Sequence, residues 1–242
     1  MRGIRRSPTV TSRPRRNLVT PEILSLLLAA WSQGNLVSSY DATMLWAACC
    51  TGFFGFLRAG EFTCPSIRAF TQNMIGPQDV SVDSHDNPST VMIHLRRSKA
   101  DPFGTGITIF LGKTGQRICP VAALLSYMVL RGSTPGPLFK FQDGSSLSKP
   151  KLMARLRQAL EHQRFDCAGI TGHSFRIGAA STAARIGLED SLIQTMGRWR
   201  SSAYLRYIQI PGRTLAATSA RLISTTSPLS LSAQVQATSR PQ

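Results

Sequence analysis

The stretch from Gly172 to Gly187 reads GHSFRIGAASTAARIG, and it contains the most specific pattern in the chain. A glycine, a histidine and a serine precede a run of small and apolar residues, which favours a helix that ends at Gly187. His173 and Arg176 lie three positions apart, so a helix places them on the same face. The stretch therefore predicts an imidazole and a guanidinium side by side, although each residue alone also suits an ordinary helix start.

Two further motifs follow this helix. Residues 197–199 read GRW and close another short helix, and residues 206–208 read RYI on a third helix. Tyr207 lies in the second motif, and Tyr204 lies three residues before it on a similar helix face. Either phenol suits a packing role, but a phenol beside a base and positive charge is also a nucleophile.

A long apolar segment lies upstream. It runs for sixteen residues from Ala42 to Leu57, between Asp41 and Arg58. A membrane span needs roughly 20 apolar residues, so we predict a buried helix that Asp41 caps. The end of this helix carries the motif FLRAGE, in which Arg58 can pair with Glu61 one turn away.

A small sheet is predicted between residues 62 and 112. Apolar residues alternate with polar ones at 80–82, 91–95 and 107–111, as they do in half-buried strands. A hairpin loop over residues 96–104 joins the last two strands. It carries the cations Arg96, Arg97 and Lys99, of which Lys99 lies near the tip.

Helices account for the rest of the folded region. They begin near residue 20, at Pro120 and after Ser148, where proline or a hydroxyl residue marks a helix start. The last of these has a basic surface, which suits a DNA groove as well as an ordinary solvated face. Its cations include Lys149, Lys151 and Arg155. The sequence thus predicts an α+β fold that is mainly helical, with a small antiparallel three-stranded sheet.

Three regions differ in composition. Residues 1–19 contain six arginines within the first sixteen positions and no apolar segment, so we predict a flexible basic arm rather than a secretory signal. Residues 20–223 are predicted to form the folded domain. Residues 224–242 are rich in Ser, Thr, Gln and Pro and are predicted to be disordered.

The charge of the whole chain points to a polyanionic partner. Among 242 residues, 28 are Lys or Arg and 12 are Asp or Glu, which gives a formal net charge of +16. Cations placed at phosphates release counterions, so DNA or RNA is the expected partner. A ribosome-associated or merely basic protein, and an anionic membrane surface, are the alternatives that composition leaves open. Five cysteines without ligand spacing indicate a reducing compartment and no metal site.

Taken together, the candidate residues suit phosphoryl transfer through tyrosine. Two arginines can hold the nonbridging oxygens of a phosphate, because a guanidinium is a planar bidentate donor. A tyrosine hydroxyl, with an unperturbed pKa of about 10, needs a proton acceptor, and histidine suits that role. A lysine on a mobile hairpin can protonate the departing 5′ oxygen, and no metal is required.

These motifs resemble the catalytic domain of tyrosine recombinases, the phage integrase family. The similarity covers roughly residues 20 to 215, and GHSFR at its distance before RYI is the most specific piece. The motif sequences are most similar to those of recombinases carried by eukaryotic mobile elements of the Crypton and tyrosine-recombinase retrotransposon kinds. The resemblance implies cleavage and rejoining of DNA through a 3′-phosphotyrosyl link, with no metal, ATP or other cofactor.

The resemblance also implies a role for each motif residue. Arg58 and Arg176 would clamp the phosphate, Tyr207 would be the nucleophile, and His173 would assist transfer of its proton. Trp199 and Tyr207 are eight positions apart, one fewer than is usual in the family, so Tyr204 is the alternative nucleophile. The RYI context favours Tyr207.

The resemblance implies supporting roles for three further residues of this chain. Lys99 would protonate the leaving 5′ oxygen. Trp199 would donate to a phosphate oxygen while its ring supports the tyrosine helix, and Glu61 would orient the first arginine or its neighbours. The residues expected to contact DNA outside the catalytic set are Arg96, Arg97, Lys149, Lys151, Arg155, Arg198 and Arg200.

The resemblance further implies double-stranded DNA as partner and a homotetramer on it, with no membrane. We expect a nuclear location if the source is eukaryotic and a cytoplasmic one otherwise. Family members usually clamp DNA with a separate N-terminal helical domain, which residues 1–19 cannot supply, so we expect activity to depend on that missing part. The alternatives are a type IB topoisomerase and a domesticated, catalytically silent DNA-binding protein.

Overall fold

The computed structural model describes residues 17–96, 106–201 and Leu205. Most of this part is helical, with one small sheet, and the predicted α+β class is confirmed. The helices are α1 (Pro21–Ser32), α2 (Ser39–Phe54), α3 (Ala59–Phe62), α4 (Pro120–Arg131), α5 (Lys149–His162), α6 (Ser174–Arg185) and α7 (Asp190–Gly197), and the strands are β1 (Val80–Val82), β2 (Thr90–Leu95) and β3 (Ile107–Gly112).

The three strands form an antiparallel sheet in the order β1-β2-β3. Ile93 in the central strand pairs with Val80 on one side and with Ile109 on the other. Val91, Ile93 and Leu95 alternate with less buried residues, which confirms the period-two pattern of the sequence. One face of the sheet therefore joins the hydrophobic core.

Helix α2 lies at the centre of the helical part and packs against α4 and α6. Its cap is Ser38, whose hydroxyl accepts from the N–H of Asp41 at 3.2 Å, so the prediction that Asp41 caps the helix is wrong by one turn. Asp41 lies in the first turn instead, and its carboxylate accepts from the N–H of Gln142 at 2.8 Å. A hydroxyl and a carboxylate near one helix start compete for the cap, and the serine has it here.

The chain turns sharply between α2 and α3. The predicted continuous helix ends at Phe54, and Phe56 adopts a left-handed backbone with φ of 51°. That conformation is uncommon for an aromatic residue and is maintained only where surrounding contacts fix it. Arg58 follows as the N-terminal cap of α3, so the turn carries it away from the axis of α2.

The packed unit includes residues that the sequence assigns to the basic arm. Val19 is 0% exposed, and its N–H donates to the carbonyl of Ser174 at 3.1 Å. A Cβ at Gly178 would lie 1.8 Å from the carbonyl oxygen of Val19, so glycine is needed for this close approach. Residues Asn17 and Val19 therefore contact α6, although they belong to the segment that the sequence assigns to the arm.

The described part of the chain has no helix that is both long enough and apolar enough to span a bilayer. Helix α2, which the apolar segment forms, is sixteen residues long. Its central residues, including Leu45, Ala48 and Cys49, are buried in the protein core. The apolar segment is thus a core helix, as its length predicts.

Candidate active site

Glu61 lies among three guanidiniums. Its Oε1 is 3.5 Å from Nη1 of Arg58, and its Oε2 is 3.9 Å from Nη1 of Arg176 and 3.6 Å from Nη2 of Arg198. The Glu61 side chain is 13% exposed. We call these four residues the arginine cluster. Three guanidiniums that share one carboxylate leave a net charge of +2, which favours the binding of an anion.

Backbone hydrogen bonds fix the position of Arg58. Its N–H donates to Oε2 of Glu61 at 2.7 Å. The next N–H along the chain, that of Ala59, donates to the carbonyl of Gly172 at 2.8 Å. Because Gly172 directly precedes His173, this bond fastens the start of α3 to the start of α6.

Arg58 and His173 line the same cleft, which has a volume of about 970 Å³. Lys149 at the start of α5 lines it too, and a Cβ at Gly172 would lie 2.6 Å from Cε of Lys149. His173 is exposed, and the Arg58 side chain is 32% exposed. The cleft thus presents a guanidinium, an imidazole and an ammonium group to solvent.

Arg176 lies behind this cleft, in the interior. Its Nη2 donates to the carbonyl of Gly197 at 2.5 Å, and its guanidinium carbon lies 5.2 Å from the centre of the Trp199 ring. Nε and Nη1 are buried without a hydrogen-bond acceptor among the described residues. Burial lowers the pKa of Arg176 to about 10, with Glu61 opposing the shift and the neighbouring arginines adding to it. The guanidinium therefore stays protonated at neutral pH.

Arg198 points inward, although the sequence predicts a DNA contact for it. Its Nη1 donates to the carbonyls of Gly55 at 3.0 Å and Met196 at 3.2 Å, and its Nη2 donates to the carbonyl of Phe56 at 3.0 Å. The side chain is 6% exposed, and burial lowers its pKa. Its Nη1 and Nη2 donors thus bind protein carbonyls, and the DNA contact stays a prediction.

The basic residues of α5 divide between two surfaces. Lys149 lines the cleft beside His173. Lys151 and Arg155 line a separate cavity of about 580 Å³, where the Lys151 ammonium lies 5.2 Å from the centre of the Phe141 ring. The helix therefore does not present all its cations to one partner surface.

The remaining predicted DNA contacts lie near the ends of the described ranges. Arg96 is exposed, and its Nε donates to the buried carboxylate of Asp79 at 2.7 Å, which holds the arginine at the end of β2. Arg200 is exposed, two residues beyond Arg198. Arg97, Lys99, Tyr204 and Tyr207 lie outside the described residues.

Within residues 17–96, 106–201 and 205, no group of three or more His, Cys, Asp or Glu side chains could hold a metal ion.

Comparison with solved structures identifies the fold. XerA recombinase matches with a TM-score of 0.61 and 19% identity, over 88% of this chain and 66% of that one. The XerH site-specific recombinase bound to a palindromic difH substrate matches with a TM-score of 0.63 and 14% identity, over 86% and 52%. A lambda integrase dimer bound to a core site matches with a TM-score of 0.53 and 15% identity, over 84% and 50%.

The fold is that of a tyrosine recombinase catalytic domain. The chain spans between about half and two thirds of the length of these recombinases. No family model and no curated protein matches the sequence. The tyrosine recombinase fold thus persists here at a sequence identity below 20%.

The packing of Trp199 on Gly197 can be tested by substitution of the glycine. A Cβ at this position would lie 1.5 Å from Cζ3 of Trp199, so the indole ring packs directly on the glycine. We expect Gly197→Ala to displace Trp199 and to lower the free energy of unfolding by about 1–3 kcal/mol, as overpacking does. Chemical denaturation measures this loss.

Gly112→Ala is the matched control, because a Cβ at Gly112 would meet open space. That variant should unfold as the wild type does. Equal stability of Gly197→Ala and the control would contradict the packing of Trp199 on Gly197.

One part of the cleft lining was not predicted from the sequence. Thr71 and Asn73 belong to this part, in the segment between α3 and β1. This segment has neither helical nor strand periodicity, so no sequence signal marks it. Nor does the sequence predict the inward orientation of Arg198, because its partners Gly55 and Phe56 lie 143 and 142 positions away.

Proposed function

We propose that the protein is a tyrosine recombinase that cleaves and rejoins DNA strands through a 3′-phosphotyrosyl intermediate. The observation that carries the proposal is the arginine cluster beside His173 at a cleft on this fold. Several solved structures with this fold are DNA complexes, including XerH on difH and lambda integrase on its core site. The net charge of +16 suits the same partner.

In this reaction the Tyr207 oxygen attacks the scissile phosphate and forms a bond to phosphorus, while the bond to the 5′ oxygen breaks. The tyrosine proton passes to His173, which lines the cleft and is the proposed base, and Lys99 protonates the departing 5′ oxygen. Attack by a free 5′ hydroxyl reverses the step. One phosphodiester replaces another, so the reaction needs no ATP.

The charge of the arginine cluster suits the transition state. A phosphodiester carries one negative charge, and the pentacoordinate transition state carries about two. The cluster has a net charge of +2, so attraction increases as the reaction proceeds. Arg58 lines the cleft, and Arg176 retains buried N–H donors for the phosphate.

We further propose that the chain serves recombination or integration of a mobile element and acts as four copies on DNA, because strand exchange needs two duplexes. The basis is the motif wording, which resembles eukaryotic mobile-element recombinases.

The test is covalent trapping on a nicked suicide substrate. Pools of duplexes with a randomised core, which differ in the position of a single nick, are incubated with the purified chain, and adducts are isolated after denaturation with detergent. The expected result is a phosphotyrosyl adduct that forms in the presence of a chelator and without ATP. Sequencing of the trapped DNA gives the preferred site.

Two other outcomes would favour the alternatives. Tight DNA binding without an adduct indicates a silent DNA-binding protein. Relaxation of a supercoiled plasmid that lacks paired sites indicates a type IB topoisomerase, which rejoins the same strand. Strand exchange between two trapped sites distinguishes the recombinase from both.

A further inference from the structure

Arg198 connects two parts of the chain that are far apart in sequence. It follows α7 in a left-handed conformation with φ of 56°, and its guanidinium reaches back to the turn between α2 and α3. There it donates to the carbonyls of Gly55 and Phe56, each at 3.0 Å. These are the two residues whose backbone redirects the chain toward Arg58.

We infer that Arg198 is a positioning residue that fixes Arg58 and Glu61 for binding of the phosphate, an inference that rests on the proposed function. It acts through the turn, because its two donors hold the carbonyl of the left-handed Phe56 and that of its neighbour. It also acts through Glu61, whose Oε2 lies 3.6 Å from Nη2 of Arg198.

The three arginines of the cluster differ in how firmly they are held. Arg58 approaches Glu61 at 3.5 Å, a distance longer than a good hydrogen bond, and its side chain is 32% exposed, so it can turn toward an incoming phosphate. Arg176 is held by the Gly197 carbonyl at 2.5 Å. Arg198 is fixed by three backbone carbonyls in addition to Glu61. It therefore stays beside Glu61 when the other two bind the phosphate.

Loss of Arg198 would change the competition for the other two arginines. Among the described residues, Glu61 would then keep Arg58 and Arg176 as positive partners, and its attraction for them would compete with that of the phosphate. The turn at Phe56 would also lose the donors that hold its carbonyls. We expect slower cleavage with little change in DNA affinity, because Nη1 and Nη2 of Arg198 already donate to protein carbonyls.

The experiment compares Arg198→Met, which removes the charge, with Arg198→Lys, which keeps the charge but cannot bridge two carbonyls as a planar fork does. Arg185→Met is the matched control, because Arg185 lies on the surface of α6 and, within the described residues, pairs with the exposed Glu22 at 3.4 Å. Each variant is measured for the single-turnover rate of adduct formation at saturating DNA, for DNA affinity against salt concentration, and for hydrogen exchange.

We expect Arg198→Met to lower the adduct rate by about 100-fold, as a small misplacement of catalytic groups does. Arg198→Lys should show a smaller loss, and the control should react as the wild type does. The salt dependence of DNA affinity should be unchanged, whereas removal of a phosphate contact would lower its slope by about one. A lower slope with an unchanged rate would overturn the inference and restore the direct DNA contact.

Hydrogen exchange keeps the inference testable apart from activity. The N–H of Arg58 donates to Glu61 at 2.7 Å, so its protection reports the local geometry. Both Arg198 variants should lower protection at Arg58 while the amides of α4 stay protected, and unchanged protection at Arg58 would overturn the inference. If the wild type forms no adduct but protection falls in the variants, the proposed function fails and the positioning contact stands.

Discussion

Tyr207→Phe should abolish the covalent DNA adduct, and Tyr204→Phe should leave it. Phenylalanine lacks the oxygen that bonds to phosphorus, so no slower route through the same residue exists. The two tyrosines lie three positions apart and are each other's matched control. Gel electrophoresis of the trapped DNA–protein complex under denaturing conditions measures the result.

Both tyrosine variants should bind DNA as the wild type does, because a phenol oxygen contributes little to a contact dominated by phosphate charge. Loss of the adduct in Tyr204→Phe with retention in Tyr207→Phe would identify Tyr204 as the nucleophile. An adduct that survives both substitutions would show that another residue is the nucleophile.

Arg176→Met should lower the rate of adduct formation by about 10²–10³-fold, the usual effect of removing one donor that stabilises a developing negative charge. The same change should not lower the melting temperature. Nε and Nη1 of Arg176 are buried without an acceptor in the described part of the chain, so the native protein bears a desolvation cost there. Loss of a buried charge is costly when it leaves its partner uncompensated, but Glu61 keeps Arg58 and Arg198 as positive partners in Arg176→Met.

Arg185→Met on the same helix is the control for Arg176→Met. Its ion pair with Glu22 is largely exposed and contributes little to stability, so both the adduct rate and the melting temperature should stay near those of the wild type. A marked drop in melting temperature for Arg176→Met would mean that its contacts with Gly197 and Trp199 serve the fold rather than the chemistry.

Local patterns in the sequence predict the secondary structure well. The alternation through Val91, Ile93 and Leu95 gives a strand because each apolar residue points to the same face of the sheet. Pro120 begins a helix because its missing N–H costs nothing at that position. These features depend on neighbours within a few residues, so the sequence contains all that is needed to infer them.

The geometry of the arginine cluster depends on residues that are far apart. Arg198 reaches Phe56 across 142 positions, and no periodicity links the two. The left-handed turn at Phe56 cannot be predicted from the sequence either, because an aromatic residue has no intrinsic preference for a left-handed backbone. Resemblance to a family suggested that Arg58 and Arg176 meet at a phosphate, but the inward turn of Arg198 and the position of Arg176 behind Glu61 required coordinates.

The left-handed turn also affects how the protein would change in evolution if selection for the proposed DNA cleavage were lost. Phe56 is buried, so its ring ties the direction of Arg58 to the hydrophobic interior. Small losses of packing around that ring would misdirect the guanidinium long before the domain ceased to fold. Without that selection, the fold and its basic surface would be retained after the proposed cleavage activity had been lost.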